Sequence, residues 1–372
     1  MRGHLPTGNG GDWTTGKIRV GVIFGGRSGE HDVSLLSAQS VLAALDPQRF
    51  EAVPFCITRE GRWLLPQDAA RALRGEPETA PGVSLAVVPG AERRLVPTGN
   101  GAATPALLSR LDVVFPVLHG PNGEDGTLQG FLELCGLPYV GAGVLGSALG
   151  MDKITQKDLL TRHGLPVTDY VAVLRHQWQQ DPAGTATAVA ARLGLPCFVK
   201  PANLGSSVGV TKASTDQDLV EGLAAAAALD RRLICERAVA NCREIECGIL
   251  GNERPEASVL GEVLPRREFY DYKAKYGERG ADLVVPAELP AEVAAEVRSM
   301  ALAAFRVLDC AGMARVDFFV ERGSHRVLVN EVNTIPGFTA TSMYPRLWEA
   351  SGVSYRCLLS RLIDLALERG GR

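Results

Sequence analysis

Short apolar runs alternate with amphipathic stretches along most of the chain, and this alternation predicts an α/β fold. The apolar run at residues 19–24 leads into a glycine turn at residues 25–29, after which Leu35 and Ala38 begin a helical stripe. A second buried strand is expected at residues 112–118, again followed by a glycine-rich loop. The pattern therefore predicts parallel strands joined through helices at the start of the chain.

The rest of the chain predicts further elements of both kinds. Strands are expected at residues 84–88, 196–201, 233–236, 244–250, 313–320 and 326–333, and helices at residues 128–135, 153–163, 293–307 and 358–367. The last two strands flank a Glu-Arg-Gly-Ser turn and form a predicted hairpin. Residues 58–109 contain many Pro, Gly and Arg residues and a single clear strand, so we interpret them as an insertion packed on the first domain.

Composition and charge exclude several classes of partner. The 372 residues include 42 acidic and 39 basic side chains, so the formal net charge is −3 and no basic excess exists to neutralise a nucleic-acid backbone. No apolar run approaches the roughly 18 residues that span a bilayer. Residues 1–16 lack the apolar core of a signal peptide and are expected to form a disordered leader.

The cysteines indicate packing rather than chemistry. There are eight of them, without a CxxC pair, which argues against a zinc site or a disulfide framework. Most stand in apolar segments, so we expect them to be reduced core thiols of a cytoplasmic protein.

The predicted hairpin carries a set of oxygen ligands. Arg315 and Asp317 share one face of its first strand, and strict alternation places Val329, Glu331 and Asn333 together on its second. A tight antiparallel hairpin brings Asp317 opposite Glu331. Two carboxylates and an amide suit Mg²⁺ together with phosphate oxygens. The alternative is a pair of solvated acids, which the apolar neighbours disfavour because buried acids need a partner.

Two lysines and a loop are candidates for phosphate binding. Lys200 ends an apolar strand and Lys153 begins a helix, and either ammonium group could hold a nucleotide phosphate rather than being a solvated charge. The loop at residues 205–209, Gly-Ser-Ser-Val-Gly, offers successive backbone N–H groups that can cradle phosphate. It does not have the spacing of a P-loop, and a plain small-residue turn remains the alternative.

Two glycine-rich loops carry further polar candidates. The first glycine turn lacks the spacing of a dinucleotide fingerprint, but it places Glu30 near a helix N-terminus where a small charged ligand can bind. His119 lies in the second loop, which we expect to be exposed, and a functional role is favoured over a structural one. Glu124 and Asp125 either orient His119 or cap the helix that follows.

Residues 268–276 combine three tyrosines with two lysines in nine positions. They lie in a predicted loop between a strand near Val263 and a helix near Glu292. Such density suggests a lid that excludes water from a phosphate site, with an ordinary amphipathic surface loop as the alternative.

Five motifs in this order resemble the D-alanine–D-alanine ligase family of the ATP-grasp superfamily. They are GGRSGEHDVS at residues 25–34, HGPNGEDGT at 119–127, GSSVG at 205–209, FYDYKAKY at 269–276 and NEVNTIPG at 330–337. The resemblance covers residues 17 to about 367 and is weak in the insertion. It implies an ATP-grasp fold of three domains, α/β throughout. These are an N-terminal Rossmann-like domain at residues 17–141, a central ATP-grasp subdomain at 142–236 and a C-terminal ATP-grasp and metal-binding domain at 237–372.

The resemblance also implies ATP as a co-substrate and two Mg²⁺ ions, for which Mn²⁺ can substitute, and leaves a monovalent cation open. The implied metal ligands are Asp317, Glu331 and Asn333. The positions that match the family's ATP contacts are Lys153, Lys200, Ser207, Glu236, Arg237, Val239, Glu244, Phe269, Lys275 and Asn330. Arg237 and Ala238 depart from the Lys and the bulky residue usual in the family's adenine hinge.

The implied reaction joins two D-alanines through a D-alanyl phosphate for peptidoglycan precursor synthesis. The implied catalytic residues are Glu30, Ser206, Tyr276, Arg315 and Gly337, and the implied substrate contacts are His119, Ser342 and Met343. Arg315 and the Gly337 backbone N–H would stabilise the tetrahedral oxyanion, and no covalent enzyme nucleophile is needed. The family also implies a homodimer without a nucleic-acid or membrane partner.

Two rival functions follow from the same residues. A sister ligase makes a D-alanyl–D-lactate ester, but the family has Phe or a differently arranged lid in that case, whereas this chain has Tyr276. A catalytically inactive nucleotide-binding regulator would lose metal and phosphate residues first, and those residues are all present. Phosphate release with D-alanine alone, compared with D-lactate, separates the two ligases.

Overall fold

The computed structural model describes residues 16–78, 84–87, 95–98, 111–205, 207–264 and 281–371. Almost all of the expected leader and the whole of the expected lid lie outside the described residues. No helix among the described residues is long and apolar enough to cross a membrane.

Eleven helices and fifteen strands alternate along the described part of the chain. The helices are α1 (His31–Ala44), α2 (Pro66–Ala72), α3 (Thr127–Leu134), α4 (Val144–Met151), α5 (Lys153–Arg162), α6 (Arg175–Gln180), α7 (Pro182–Leu193), α8 (Asp216–Leu229), α9 (Ala291–Val307), α10 (Met343–Ala350) and α11 (Tyr355–Gly370). The strands are β1 (Ile18–Gly25), β2 (Phe50–Ile57), β3 (Trp63–Leu64), β4 (Ser84–Val87), β5 (Leu95–Thr98), β6 (Val113–Pro116), β7 (Tyr170–Leu174), β8 (Cys197–Pro201), β9 (Thr211–Ala213), β10 (Arg232–Arg237), β11 (Cys242–Gly251), β12 (Glu256–Leu264), β13 (Asp282–Val284), β14 (Gly312–Glu321) and β15 (Val327–Asn333).

The first sheet has the order β3-β2-β1-β6, with β1 parallel to both β2 and β6. Helix α1 buries Ala38 as expected, whereas Leu35 lies at the edge of the interface. The polar Ser34 is fully buried because its hydroxyl donates to the Val117 carbonyl at 2.5 Å and accepts from the Gly25 N–H at 2.8 Å. These bonds fix the glycine turn against the next strand.

The insertion contains more structure than the single predicted strand. Trp63–Leu64 pairs with β2, and the helix Pro66–Ala72 buries Ala69 and Ala72 in the core of the first domain. Ser84–Val87 pairs with a further strand, Leu95–Thr98. The expectation of one strand is therefore wrong, because a two-residue strand and a short alanine-rich helix are too brief to show a period.

The two remaining main sheets are antiparallel and face the same cleft. The central sheet has the order β7-β10-β8-β9, and the C-terminal sheet has the order β13-β12-β11-β14-β15. Helix α8 packs on the central sheet, and helix α9 packs on the C-terminal sheet over a core that includes Phe305 and Phe318. The second face of the C-terminal sheet is covered by α10 over part of β11 and β12, and the rest of it is turned to the cleft.

The predicted hairpin is present, with one correction. Asp317 is the cross-strand partner of Glu331, as expected. The register then shifts, so that Val329 pairs with Phe318 and is fully buried in the core. Val329 therefore does not share the face of Glu331, because Asn330 is an extra residue in β15. A bulge of this kind turns consecutive side chains toward one side of a sheet.

All eight cysteines are free thiols, and most of them are buried, as expected. Cys242 is half-buried and Cys357 is exposed, while the other six are buried. Burial raises the pKa of the Cys247 thiol and of the Cys310 thiol to about 12. The buried thiols are therefore protonated side chains that fill the core.

Candidate active site

A cavity of ≈ 820 Å³ lies between the central and C-terminal sheets and reaches the first glycine turn of the N-terminal domain. Every predicted site residue that the structure describes lines this cleft. Ser206, Phe269, Lys275 and Tyr276 lie outside the described residues. The cleft thus brings together residues that are more than 300 positions apart in the sequence, such as Glu30 and Ser342.

The central sheet presents a charged face to the cleft. Lys200 and Phe198 alternate on β8, and Glu236 lies on the same face of the neighbouring strand β10. The Lys200 ammonium group forms an ion pair with Glu236 Oε2. Lys153, at the start of α5, donates to the Leu204 carbonyl at 2.7 Å. Both lysines predicted to bind phosphate therefore border the same loop and the same strand.

Glu236 is a buried carboxylate between two ammonium groups. Its residue is 3% exposed, and its second partner is Lys157, whose Nζ lies 3.0 Å from Oε1. Burial alone would raise the pKa of Glu236, but the two lysines lower it to about 2. Burial also opposes the charge of Lys200, yet Glu236 and Glu331 raise the pKa of that ammonium group. Glu236 and Lys200 are therefore ionised at neutral pH.

The C-terminal sheet presents the acidic edge of the cleft. Arg315 donates to both carboxylate oxygens of Asp317 at 2.7 Å, and its Nε also lies 2.9 Å from Glu246. Asn333 donates to Asp317 at 3.0 Å. Burial opposes the charge of Arg315, yet Asp317 and Glu246 raise the pKa of its guanidinium group above the ordinary value. Asp317 and Glu331 face each other across the hairpin, as the sequence predicted.

The oxygen set at this edge fits Mg²⁺. Among the described residues no group of three or more His, Cys, Asp and Glu side chains could hold a metal ion, so a three-ligand site needs the Asn333 amide beside Asp317 and Glu331. Carboxylate and amide oxygens are the ligands that Mg²⁺ takes in proteins, usually together with phosphate oxygens. The donors present are therefore suited to a metal–nucleotide complex rather than to a metal held by protein alone.

The N-terminal domain closes one end of the cleft with Glu30, which is 7% exposed. Its carboxylate lies against two glycines, because a Cβ added to Gly120 or Gly205 would approach Glu30 Oε2 to 2.8 or 2.9 Å. The Ser28 hydroxyl accepts from the Glu30 N–H at 3.2 Å and donates to the His119 carbonyl at 2.6 Å. The glycine turn, the loop after β6 and the loop after β8 thus meet at one carboxylate.

His119 is 5% exposed, so the expectation of an exposed loop is wrong at this residue. Its Nδ1 lies 3.2 Å from the Ile335 carbonyl and its Nε2 lies 3.3 Å from the Ser37 hydroxyl. Since a carbonyl only accepts, Nδ1 carries the proton and Nε2 accepts from Ser37. Burial lowers the pKa of His119, so the ring is neutral. The pattern of apolar residues in the sequence could not show that α1 and the strand–turn after β15 cover this loop.

The two acids that follow His119 have separate roles. Asp125 accepts from the Thr127 N–H at 3.0 Å and so caps α3. Glu124 accepts from the Gly120 N–H at 2.5 Å and holds the loop closed. Burial, together with the charge of Glu30, raises the pKa of Glu124 to about 8. The capping role that was left open therefore belongs to Asp125 alone.

The segment after β15 completes the far side of the cleft. The Ser342 side chain accepts from the Thr339 N–H at 3.2 Å and lies 2.7 Å from the Thr339 hydroxyl. A Cβ added to Gly337 would be 3.2 Å from Ser342 Oγ, so the backbone passes close to that hydroxyl. Met343 is buried and packs with Leu347 below the cleft. Gly337 and Ser342 therefore present backbone and hydroxyl groups side by side.

Sequence reasoning missed two charged residues of the site. Glu246 pairs with Arg315, and its position two residues after Glu244 on an alternating strand was a signal. Lys157 pairs with Glu236 and is 1% exposed. Its position four residues after Lys153, hence on the same side of α5, was the only signal available.

Two antiparallel sheets with packed helices enclose a cleft that has lysines on one wall and acidic residues on the other. This arrangement defines an ATP-grasp enzyme. Comparison with known proteins gives the family. The profile described as D-ala D-ala ligase N-terminus matches residues 19–142, and the one described as D-ala D-ala ligase C-terminus matches residues 159–364. The chain belongs to the D-alanine–D-alanine ligase family, whose members are ATP-dependent ligases that form a peptide bond.

Individual relatives are similar to this chain over nearly its whole length. The chain is 46% identical over 353 residues to the D-alanine–D-alanine ligase of Natranaerobius thermophilus, covering 95% of this chain and 96% of that protein. It is 49% identical over 357 residues to that of a Thermoanaerobacter species, covering 95% and 97%. The ligase structure from Coxiella burnetii superposes with a TM-score of 0.81 at 35% identity, covering 95% of each chain. The VanG D-Ala:D-Ser ligase structure from Enterococcus faecalis gives 0.80 at 33% identity, covering 94% and 100%.

Proposed function

We propose that this protein joins two molecules of D-alanine with ATP, giving D-alanyl-D-alanine, ADP and phosphate. The observation that carries the proposal is the composition of the cleft. Lys153 and Lys200 border one wall, Asp317 and Glu331 border the other, and Glu30 closes the end. Such a cleft can hold a nucleoside triphosphate with its metal and, beside it, a small molecule with an ammonium group.

The first step needs charge neutralisation rather than a nucleophile from the protein. A carboxylate is a poor acyl donor, so transfer of the γ-phosphoryl group to a D-alanine carboxylate oxygen gives an acyl phosphate and ADP. Phosphoryl transfer depends on positioning and on cations around the phosphate oxygens. Lys153 and Lys200 supply fixed positive charge on the nucleotide side. Glu236, Arg237 and Val239 on this side of the cleft, with Glu244 and Asn330 from the C-terminal sheet, are the proposed contacts of the nucleoside.

Asp317, Glu331 and Asn333 are the proposed ligands of Mg²⁺, with two ions in the full complex and Mn²⁺ as a substitute. Mg²⁺ would neutralise charge on the phosphate oxygens during transfer. Arg315 already engages Asp317 and Glu246, so it is held rigidly at the boundary between the metal edge and the substrate end. A fixed guanidinium in that place can stabilise negative charge on the reacting carbonyl.

The second step is attack by the amine of another D-alanine on the acyl carbon, which expels phosphate. Glu30 is the proposed partner of the first ammonium group, and the Gly337 N–H with Arg315 the proposed oxyanion contacts. Ser342 is the proposed partner of the second carboxylate. Tyr276, Ser206, Lys275 and Phe269 are proposed to complete the site from segments outside the described residues.

The test is phosphate release by the purified protein with ATP and Mg²⁺. D-alanine alone should support release, and L-alanine should not. D-Lactate and D-serine are added separately with a limiting amount of D-alanine. D-Serine is included because one similar structure is described as a D-Ala:D-Ser ligase. Release that needs D-lactate or D-serine, and is absent with D-alanine alone, would overturn the dipeptide assignment.

We further propose that the protein is a homodimer. Leu134 on α3 and Leu145 on α4 are 78% and 57% exposed, on helices that contact each other. Adjacent exposed leucines are suited to an interface between copies. Light scattering should give twice the chain mass of 39.6 kDa. Leu145→Glu should shift the protein toward the monomer, while Leu229→Glu, at a leucine elsewhere that is 50% exposed, should not.

The proposal also includes the domain boundaries and the location of the protein in the cell. We propose that the domains divide at residues 141/142 and 236/237, supported by the three main sheets, with β10 of the central sheet ending one residue past the second boundary. A cytoplasmic location is proposed because the reaction consumes ATP. Immunodetection in fractionated cells tests the location.

A further inference from the structure

Lys157 is the most deeply buried ammonium group among the described residues, with 1% of its surface exposed. Its Nζ lies 3.0 Å from Glu236 Oε1 and donates to the Thr168 hydroxyl and to the Asn330 carbonyl, each at 3.0 Å. An ammonium group has three hydrogens, so these three acceptors use all of them. The side chain is therefore fully engaged within the protein.

All three acceptors line the cleft, whereas Lys157 does not. Glu236 comes from the central sheet, Thr168 from the segment before β7, and Asn330 from the bulge beside the proposed metal ligand Glu331. One buried ammonium group thus joins both walls of the cleft from behind. A residue in this place can influence a bound nucleotide only through the groups that it holds.

The charges of the cluster show which group is held and which is free to move. Lys157 takes Glu236 Oε1, and Lys200 takes Glu236 Oε2. Two ammonium groups share one carboxylate, so the trio carries a net positive charge. Lys157 has no route to solvent, but the Lys200 side chain is 15% exposed and lines the cleft. The excess positive charge of the trio is therefore accessible to a ligand in the cleft at Lys200.

We propose that Lys157 is a positioning residue for ATP, which keeps Glu236 half-neutralised so that Lys200 can leave this carboxylate for the nucleotide phosphates. The inference rests on the proposed assignment of Lys200 and Glu236 to ATP. Without Lys157, Lys200 becomes the sole counter-charge of a buried carboxylate. Separating them would leave that charge unpaired, which is strongly unfavourable in a protein interior. Lys200 then stays with Glu236, and ATP loses its partner.

Burial is consistent with this division of roles. It lowers the pKa of Lys157, and Glu236, whose Oε1 lies 3.0 Å from Nζ, acts in the opposite direction. Asn330 adds a second effect, because its carbonyl fixes the bulge that turns Glu331 toward the cleft. Loss of Lys157 should therefore affect ATP binding more than D-alanine binding, because none of its partners lies at the D-alanine end.

The test is the steady-state kinetics of Lys157→Met, which keeps the length of the side chain and removes its charge. We expect the KM for ATP to rise at least about tenfold, with the KM for D-alanine within about twofold of the wild-type value. Arg162→Met removes an exposed charge from the same helix and should leave both constants unchanged. A KM for ATP within twofold of wild type, or equal increases in both KM values, would overturn the proposal.

A double variant separates positioning from a merely structural role. In Lys157→Met/Glu236→Gln the carboxylate that retains Lys200 is gone, so the KM for ATP should fall below that of Lys157→Met alone. A purely structural lysine predicts the opposite, that the two losses add. If Lys157→Met does not fold, Lys157→Gln keeps two donors without the charge and carries the same expectation for both KM values.

The proposed function and this inference fail in different ways. Wild-type protein without D-alanine-dependent phosphate release contradicts the function. Active wild-type protein together with a Lys157→Met variant of unchanged KM for ATP contradicts the inference alone.

Discussion

Gly205 lies against the carboxylate of Glu30, so that a Cβ at this glycine would approach Glu30 Oε2 to 2.9 Å. The contact joins the loop after β8 to the start of α1. It places a residue of this loop at the point where the N-terminal domain is proposed to hold the first D-alanine.

Gly205→Ala tests this contact. The added methyl group meets the end of a flexible side chain, so stability should change little, but Glu30 must move. We expect the KM for D-alanine to rise about tenfold with the melting temperature within about 2 °C of wild type. Gly29→Ala is the matched control, because a Cβ there has nothing within 4 Å. An unchanged KM for D-alanine in Gly205→Ala would contradict the assignment of Glu30.

Glu331→Gln tests the metal edge. The substitution removes one of the two carboxylates that face each other across the hairpin, so Mg²⁺ should bind more weakly and turnover should fall by at least about a hundredfold. Titration of activity with Mg²⁺ measures the effect. Glu256→Gln changes an exposed acid on β12 of the same sheet, paired with Arg361 at 3.1 Å, and should leave activity unchanged. Near-normal activity of Glu331→Gln would exclude it as a ligand.

The pH dependence of stability tests the burial of Glu124. Its pKa is about 8 in the folded protein and near the ordinary value of about 4.5 when unfolded. Between these values the folded state binds the extra proton, so the free energy of unfolding falls as the pH rises from about 5 to 8. In Glu124→Gln the free energy of unfolding lacks this fall, because the amide side chain does not titrate. Its melting temperature relative to wild type should therefore increase with pH, whereas that of the exposed Glu51→Gln should not. A difference that is equal at pH 5 and pH 8 would contradict a half-buried Glu124 that is protonated in the folded protein.

Two helical glycines should respond in opposite directions to alanine. In α4, a Cβ at Gly146 would overlap the backbone carbonyl of Asp309, which cannot move aside, and Gly146→Ala should destabilise the protein by about 2 kcal/mol. In α3, a Cβ at Gly130 meets only Val144 at 3.9 Å, and Gly130→Ala should stabilise it by up to about 1 kcal/mol. Urea unfolding measures both. Equal effects of the two substitutions would contradict the packing of α4 on the C-terminal domain.

The pattern of the sequence predicts the part of the site that lies on regular strands, whereas most of the other site residues were implied by the family resemblance. Alternation on two adjacent strands was sufficient to place Asp317 opposite Glu331. Alternation failed at Val329, because an inserted residue in a strand leaves no mark in the period of the pattern. A single residue, Asn330, therefore changed which side chains face the cleft.

Burial by distant segments was the main part that the sequence could not predict. His119 stands in a glycine-rich loop that reads as exposed, yet Ser37 and the Ile335 carbonyl cover it. Lys157 stands in a polar helix, and its burial depends on Asn330, which is 173 residues away. Such contacts arise from the packing of domains and not from local periodicity.

The most direct test of the account uses D-alanine labelled with ¹⁸O in its carboxylate. The purified protein is incubated with this amino acid, ATP and Mg²⁺, and the products are analysed by mass spectrometry. The carboxylate oxygen that attacks the γ-phosphorus leaves with phosphate, so the account predicts D-alanyl-D-alanine, ADP and phosphate carrying one ¹⁸O. Absence of the dipeptide, or phosphate without label, would contradict it.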